Sequence, residues 1–173
     1  MIYEIKDTNK ISPLFGHWEE TLIWSCLQGI MGKIYANDLT APTAAMAVIG
    51  DFTFFAGEPC PELIAYRPPH CTQNFMIAVP QNKLWENMLT QFYGKKAKII
   101  SRYATKKEPP IFNKHHLEKI VASLPKQYTL SMIDSHFYKL CKSEAWSKDL
   151  VSQFSTYEKY RRLGIGVVIS KDG

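Results

Sequence analysis

The sequence lacks any hydrophobic run long enough to cross a membrane. A transmembrane helix needs about 18 consecutive apolar residues, and the longest candidate, residues 44–55, is interrupted by Gly50 and Asp51. The first six residues, from Met1 to Lys6, show no basic stretch followed by an apolar one, so no secretory signal is visible. We therefore expect a cytoplasmic protein without a membrane partner.

Cysteine is scarce, and its spacing is not that of a metal site. Cys26, Cys60, Cys71 and Cys141 form no C-x-x-C pair and match no zinc module. Cys60 together with the neighbouring pair His70-Cys71 comes nearest to a set of metal ligands, but free cysteines are usually buried without a metal. We predict reduced thiols and no metal site.

Arginine is rare among the 21 basic residues, and the basic charge is unevenly distributed. Residues 1–80 carry a net charge of −4 and residues 81–173 a net charge of +9, which together give the net charge of +5. A basic half can attract nucleic acid or a phosphorylated cofactor. Lysine dominates this half, whereas arginine, whose planar guanidinium binds phosphate through two donors at once, is rare. We therefore interpret this half as a solvated basic face.

The composition excludes disordered, collagen-like and low-complexity chains. Apolar residues make up 46 %, charged residues 21 % and aromatic residues 13 % of the 173 residues, which are the proportions of a globular protein. This length suffices for one compact domain, or one and a half. No internal repeat is visible.

The hydrophobic pattern alternates between helices and strands. The predicted helices cover residues 19–31, 61–66, 81–92, 114–124, 135–142 and 148–162. Asn113 and Ser147 are predicted to cap the helices at 114–124 and 148–162, and residues 106–110 are predicted to form a linker. The predicted strands cover residues 33–37, 43–49, 52–56, 74–79, 95–103, 128–133 and 165–170. Gly50-Asp51 links two runs that are apolar on both faces, which predicts a hairpin inside a sheet. We expect an α+β fold with a mixed or mostly antiparallel sheet flanked by helices.

The end of the sequence resembles an unfinished hairpin. Asp172-Gly173 follows the predicted strand at 165–170 and is a turn signal without a second arm. Three explanations are open for this end. The sequence is a fragment of a longer chain, or another chain donates the missing strand, or the strand pairs with an earlier one and the turn signal is accidental. An unpaired strand would leave a row of amides without partners, and we favour truncation.

No residue in the sequence stands out as catalytic. His115 and His116 are adjacent, so on a helix their side chains point about 100° apart and do not converge on one ion. Glu19 and Glu20 precede a helix, where carboxylates stabilise the dipole. No nucleophile elbow surrounds Cys141 or any serine. We assign no catalytic residue and interpret the histidine pair as a surface feature.

Three stretches together resemble a known family. They are residues 32–38 (GKIYAND), 50–59 (GDFTFFAGEP) and 154–168 around Gly164-Ile165-Gly166. They resemble the GNAT-like acetyltransferase family that includes zwittermicin A resistance proteins, and the likeness extends from about residue 18 to the end of the chain. The stretch at 50–59 carries most of it.

The resemblance implies two domains and an enzymatic activity. Residues 1–126 would form an N-terminal α+β domain, and residues 127–173 the opening strands and helices of a GNAT domain, truncated here. Such enzymes let an amine attack the thioester of acetyl-CoA while backbone N–H groups polarise the carbonyl. In this family the loop between the two opening helices often borders the acceptor amine. Here that loop is residues 143–147, which makes Trp146 the candidate substrate-binding residue, with a packing role as the alternative.

Residues 161–166 spell R-x-x-G-x-G, the pyrophosphate-loop motif of that family. The loop must leave a strand and open a helix, because free helix N–H groups hold the phosphates. The predicted order here is reversed, so we interpret Arg161, Arg162 and Gly164 as a helix end. No residue is therefore assigned to cofactor binding, and acetyl-CoA would be a cosubstrate whose site lies mostly outside this sequence.

The sequence thus predicts part of a GNAT-type N-acetyltransferase that acts on a primary amine of a small molecule. One alternative is a non-catalytic binding or interaction module. A less favoured alternative is a nucleic-acid-binding module, because aromatic residues interleave with basic ones between Tyr93 and Tyr128. The sequence does not indicate an oligomeric state.

Overall fold

The structure is a computed structural model that describes residues 1–72, 74–103, 105, 108 and 111–172. The chain folds into two compact units, Met1–Lys98 and Ile99–Gly173. The first holds a five-stranded sheet and the second a two-stranded sheet. Helices accompany both, so the predicted α+β class with a mostly antiparallel sheet is confirmed. The predicted domains, 1–126 and 127–173, come from the family resemblance and not from compactness, so these two units do not test them and they stay a prediction.

The sheet of the first unit consists of five strands in chain order. They are β1 (Tyr3–Ile5), β2 (Lys33–Ala36), β3 (Ala44–Ile49), β4 (Phe52–Gly57) and β5 (Ile77–Pro80). The first three pairings are antiparallel, and the pairing of β4 with β5 is parallel. A parallel pairing requires a crossover connection, which the chain makes through residues 58–76.

The predicted hairpin at Gly50-Asp51 lies in the centre of this sheet. Ile49 pairs with Phe52 across the two-residue turn. Gly50 has φ +53°, a conformation that glycine adopts without steric cost. All six residues of β3 are buried. The predicted interior position of the hairpin is therefore confirmed.

Four helices cover the two faces of the first sheet. They are α1 (Ser12–Phe15), α2 (Thr21–Leu27), α3 (Pro61–Ala65) and α4 (Lys83–Tyr93). One core forms where α1 and α2 pack on one face, and a second where α3 and α4 pack on the other. The helices contribute Phe15, Ile23 and Cys26 to the first core, and Leu63, Ile64, Trp85 and Leu89 to the second. Covering both faces explains why β3 and β4 are apolar on both sides.

Two sequence-based boundaries in the first unit are corrected by the structure. α2 is shorter than the predicted helix at 19–31, because Gly29 and Gly32 have φ +66° and +68°, outside the α region. The predicted strand at 95–103 is wrong. Gly94–Lys96 form a 3₁₀ turn, and the described chain from 97 to 103 contains no strand. The linker prediction at 106–110 falls mostly outside the described residues.

The second unit combines four helices with a short sheet. Its elements are α5 (Lys114–Ala122), β6 (Tyr128–Met132), α6 (Ser135–Ser143), α7 (Lys148–Val151), α8 (Tyr157–Leu163) and β7 (Val167–Lys171). The Asn113 side chain accepts a hydrogen bond from the His116 N–H at 3.0 Å and starts α5, as predicted. β6 and β7 pair antiparallel, with Leu130 opposite Ile169.

The single helix predicted at 148–162 is wrong, because the chain breaks into α7 and α8. The buried side chain of Phe154 occupies the break, and Thr156 restarts the helix by accepting a hydrogen bond from the Lys159 N–H at 3.3 Å. A hydroxyl that bonds a free N–H is a typical helix start. Ser147, predicted to cap this helix, makes no side-chain cap.

The last strand is paired within the chain. β7 pairs with β6 along all five residues, from Val167 opposite Met132 to Lys171 opposite Tyr128. Pairing with an earlier strand, the third of the explanations considered above, therefore describes β7. Gly173, the second residue of the turn signal, lies outside the described residues. In the part of the chain that the structure describes, no helix is long and apolar enough to cross a membrane.

Candidate acceptor site in the second unit

The loop between α6 and α7 presents Trp146 to solvent. α6 begins where the Asp134 carboxylate accepts a hydrogen bond from the Phe137 N–H at 2.9 Å, and it ends at Ser143. Trp146 follows three residues later and is 80 % exposed. The indole is therefore available to a partner, and its proposed contact with substrate stays a prediction.

Ser147 anchors this loop from inside. It is 1 % exposed, and its hydroxyl donates a hydrogen bond to the Cys141 carbonyl at 3.1 Å. Its N–H donates to the Glu144 carbonyl at 3.2 Å. Two hydrogen bonds thus hold the loop backbone next to Trp146, one to α6 and one to the residue that follows it. They fix the position from which the indole projects into solvent.

Four aromatic rings of the second unit pack together. The ring centroid of Tyr160 lies 5.5 Å from that of Tyr138 and 5.2 Å from that of Phe154, and Tyr157 lies 5.7 Å from Tyr138. The Tyr138 hydroxyl donates to the Phe154 carbonyl at 2.8 Å. Lys142 Nζ lies 5.3 Å from the Tyr138 ring centroid, within the range of cation–π attraction. The rim of the cluster therefore accepts a cation.

The hydroxyl of Tyr160 is buried without a partner. Tyr160 is 5 % exposed, and among the described residues its oxygen is the one buried side-chain polar atom that lacks a hydrogen bond. Burial raises the pKa of Tyr160, with smaller effects from Cys141 and Tyr157. The group therefore remains a protonated donor at neutral pH.

Packing against Tyr160 explains the two glycines of the R-x-x-G-x-G string. A Cβ on Gly164 would lie 2.7 Å from the Tyr160 ring, and a Cβ on Gly166 would lie 2.7 Å from the Tyr160 hydroxyl. The Gly164 N–H donates to the Tyr160 carbonyl at 2.7 Å and ends α8. β7 follows the string, so no free helix N-terminus faces it. These residues do not fit a cradle for coenzyme phosphates.

The two arginines of that string line a shallow depression on α8. It encloses about 390 Å³ and is bounded by Tyr157, Glu158, Arg161 and Arg162. Neither guanidinium forms a hydrogen bond or an ion pair with another described residue. The Glu158 carboxylate is engaged by its own N–H and by the Thr156 hydroxyl, which together hold its pKa below the usual range. The depression therefore presents two cations without an ion-pair partner in the described part of the chain, one carboxylate and an aromatic ring.

A second group of titratable side chains lies in the first unit. The Tyr35 hydroxyl lies 3.4 Å from His70 Nδ1, and their rings stack with centroids 6.3 Å apart. Burial raises the pKa of Tyr35. Burial, assisted by the Lys33 cation and opposed by Glu4, lowers the pKa of His70. Tyr35 therefore keeps its proton and can donate it to a neutral imidazole.

The residues considered for metal binding are not assembled into a site. Among the described residues, no group of three His, Cys, Asp or Glu side chains could hold a metal ion. Cys60, Cys71 and the other two cysteines are free. His115 and His116 are exposed at the start of α5.

The aromatic residues considered for nucleic-acid stacking have different environments. The Tyr93 hydroxyl donates to the Ile64 carbonyl at 3.0 Å, which ties Tyr93 into the first unit. Tyr103 and Phe112 are exposed. Lys106 and Lys107 lie outside the described residues. The interleaved pattern thus includes at least one aromatic residue with a structural role.

Sequence reasoning did not single out the tyrosines of the second unit. Tyr157 and Tyr160 are three residues apart on α8, and such spacing is typical of a core stripe. Only the ring contacts with Tyr138 show that they form one cluster. A signal was present, because Tyr157 lies four residues and Tyr160 one residue before Arg161, which places aromatic and cationic groups on one predicted helix.

The chain matches the family model described as GNAT acetyltransferase over residues 12–173. No curated protein matches the chain.

The fold is similar to that of a solved protein. The crystal structure of a GCN5-related N-acetyltransferase-like protein from Streptococcus suis 89/1591 superposes with a TM-score of 0.75 at 38 % sequence identity. The match covers 96 % of this chain and 66 % of that one, so the chain spans slightly less than two thirds of that protein's length. The resemblance to zwittermicin A resistance proteins stays a prediction.

Proposed function

Because the chain belongs to the GNAT acetyltransferase family, we propose that it contributes to an enzyme that transfers an acetyl group from acetyl-CoA to a primary amine of a small molecule. The match over residues 12–173 carries this proposal. The similarity to a GCN5-related N-acetyltransferase-like protein over 96 % of this chain supports it. A cytoplasmic location is part of the same proposal.

The second unit contributes the side of the site that receives the amine. Its order of strand, helices and strand is that expected for the opening of a GNAT domain at 127–173. Trp146 is exposed on a loop that Ser147 fixes to α6. An indole face attracts an ammonium group, so Trp146 would hold the acceptor amine near the surface.

No residue of the chain is assigned to acetyl-CoA. The R-x-x-G-x-G string ends a helix and packs on Tyr160, so it does not supply the N–H groups that coenzyme phosphates require. We expect acetyl-CoA to bind residues 1–173 alone with a Kd weaker than about 1 μM. Micromolar or tighter binding in isothermal titration would contradict this assignment.

The activity is tested by measuring release of the coenzyme A thiol from acetyl-CoA in the presence of primary amines. The protein is prepared as its own gene encodes it, and each amine is compared with its tertiary methylated analogue, which cannot be acetylated. Thiol release that depends on the primary amine is expected. Its absence with every primary amine tested would contradict the proposed transferase.

The contribution of Trp146 is tested with two variants of similar exposure. Trp146→Ala is expected to raise KM for the amine about tenfold, because a desolvated cation–π contact contributes on the order of 1–2 kcal/mol. Leu150→Ala removes another exposed apolar side chain and is expected to leave KM unchanged. An unchanged KM in Trp146→Ala would show that the indole does not bind substrate.

One observation favours a non-catalytic interaction module as the second candidate. On one face of the β6–β7 sheet four neighbouring side chains are apolar and exposed, namely Leu130, Met132, Val167 and Ile169, and the pair Tyr128 and Lys171 ends that face. A contiguous exposed apolar patch is typical of an interaction surface. If Leu130→Lys abolishes binding of a protein partner while no amine is acetylated, this second function replaces the first.

A further inference from the structure

We propose that the depression on α8 binds an oxyanion group of the acceptor, so that the substrate is a primary amine that also carries a carboxylate or a phosphate. This inference deepens the proposed function and rests on it. It assigns Arg161 and Arg162 as specificity-determining residues. The geometry that carries it is the pair of unpaired guanidinium groups beside the Tyr157 ring.

Arg161 and Arg162 leave α8 about 100° apart, but both side chains border the same depression, so both can reach one ligand there. A guanidinium offers five N–H donors in a planar fork that matches a carboxylate or a phosphate. Neither Arg161 nor Arg162 donates to another described residue. Glu158 lies four residues before Arg162, the spacing of a helix ion pair, yet no ion pair joins the two side chains in the described part of the chain. The arginines therefore bring two positive charges to the depression against the one negative charge of Glu158.

The Tyr157 side of the depression suits the apolar part of a small molecule. Tyr157 is half-buried, and its ring is held against Tyr138 and Tyr160 at centroid distances of 5.7 and 6.4 Å. The ring is thus fixed in place before a ligand arrives. A volume of about 390 Å³ is within the range of small-molecule sites.

The position on the helix selects one oxyanion instead of the coenzyme's pyrophosphate. Arg161 and Arg162 lie in the last turn of α8, where backbone carbonyls and the dipole repel an anion with about half a charge. The two positive charges, set against the one negative charge of Glu158, outweigh this repulsion, and the N–H groups of a last helical turn are bonded within the helix, so they are not offered to a second phosphate. The chemistry therefore favours a single carboxylate or phosphate group on the acceptor.

The test follows the side-chain Nε–H signals of Arg161 and Arg162 by NMR while ligands are added to the full chain. The probes are 4-aminobutyrate, its amide, butyrate, inorganic phosphate and coenzyme A. We expect 4-aminobutyrate and butyrate to bind alike and the neutral-headed amide at least about tenfold more weakly, since a charge-assisted hydrogen bond is lost. Inorganic phosphate is expected to compete with both acids.

Variants separate a specific site from general positive charge. Arg161→Gln with Arg162→Gln is expected to weaken butyrate binding at least about tenfold, whereas Lys159→Gln removes the same kind of charge from α8 outside the depression and is expected to change it less than about twofold. Arg161→Lys keeps the charge and removes the fork, and an intermediate affinity is expected. Unchanged thermal midpoints check that the variants fold.

Three results would overturn the inference. They are equal affinity for acid and amide, equal loss in the Lys159 and arginine variants, and arginine-dependent binding of coenzyme A without binding of the acids, which would make the depression a coenzyme phosphate site. Butyrate carries no amine, so its binding tests the depression independently of acetyl transfer. Binding without acetylation of any amine would leave the anion site and remove the proposed function.

Discussion

The hydroxyl oxygen of Tyr160 lies 2.7 Å from the point at which a Cβ on Gly166 would stand. The segment between α8 and β7 can therefore approach the ring only where it lacks a side chain. The same close approach buries the hydroxyl and leaves it without a hydrogen-bond partner among the described residues. A string that spells a phosphate loop is thus accounted for by tyrosine packing.

Removing the Tyr160 hydroxyl is expected to stabilise the second unit. A buried hydroxyl without a partner costs about 1–3 kcal/mol, so Tyr160→Phe should raise the free energy of unfolding by about 1 kcal/mol. Tyr138→Phe is the matched control, because its hydroxyl donates to the Phe154 carbonyl at 2.8 Å and its loss should lower stability by about 1 kcal/mol. Urea unfolding of both variants measures the difference. Equal destabilisation would show that the Tyr160 hydroxyl has a partner.

A side chain at Gly166 is expected to destabilise the fold through Tyr160. Gly166→Ala places a methyl group 2.7 Å from the hydroxyl and 3.0 Å from Ile133, and overpacking of this kind costs about 1–3 kcal/mol. Adding Tyr160→Phe removes the closest atom, so the double variant should recover part of the loss. A thermodynamic cycle measures this coupling. Additive effects would contradict the contact.

Features fixed by residues adjacent in sequence could be predicted. The hairpin at Gly50-Asp51 was found because a two-residue turn with positive φ restricts the residue types that can form it. Asn113 was found as a helix start for the same local reason, since its side chain bonds an N–H three residues later. The α+β class followed from the alternation of such elements.

Features that depend on distant partners could not be predicted. The helix at 148–162 breaks where Phe154 is buried against the Tyr160 ring and its carbonyl accepts a hydrogen bond from Tyr138 of α6, and no local signal records that packing. The alternation at 95–103 is typical of a strand, but a strand also needs a neighbour to pair with. The loop position of Trp146 and the arginines of α8 were visible in the sequence, whereas the unpaired state of Arg161 required coordinates.

Stability is expected to fall at mildly acidic pH through His70. Burial and the nearby Lys33 lower the pKa of His70 in the folded chain. Between the usual value near 6.5 and this lower folded value, the unfolded chain binds more protons, so stability decreases as the pH falls through that window and levels off below it. Urea midpoints at several pH values between 7.5 and 4.5 measure the effect.

Two variants attribute this pH dependence to His70. His70→Gln should flatten the stability profile in the window, because the titrating group is gone. Lys33→Gln removes a cation that disfavours protonation of His70, so the decrease should become smaller but remain. A profile that is identical in the wild type and in His70→Gln would assign the effect to other groups.

Cys26 is expected to react with alkylating reagents only when the first unit unfolds. Its side chain is 3 % exposed, and its thiol lies 3.8 Å from the Val48 carbonyl. Burial raises the pKa of Cys26 to about 12, so at pH 8 only about one thiol in 10⁴ is the reactive thiolate. Cys71 is half-buried and should be labelled first. Mass spectrometry after iodoacetamide treatment, with and without urea, measures both rates. Labelling of Cys26 as fast as Cys71 in the folded chain would contradict the packing of α2 on the sheet.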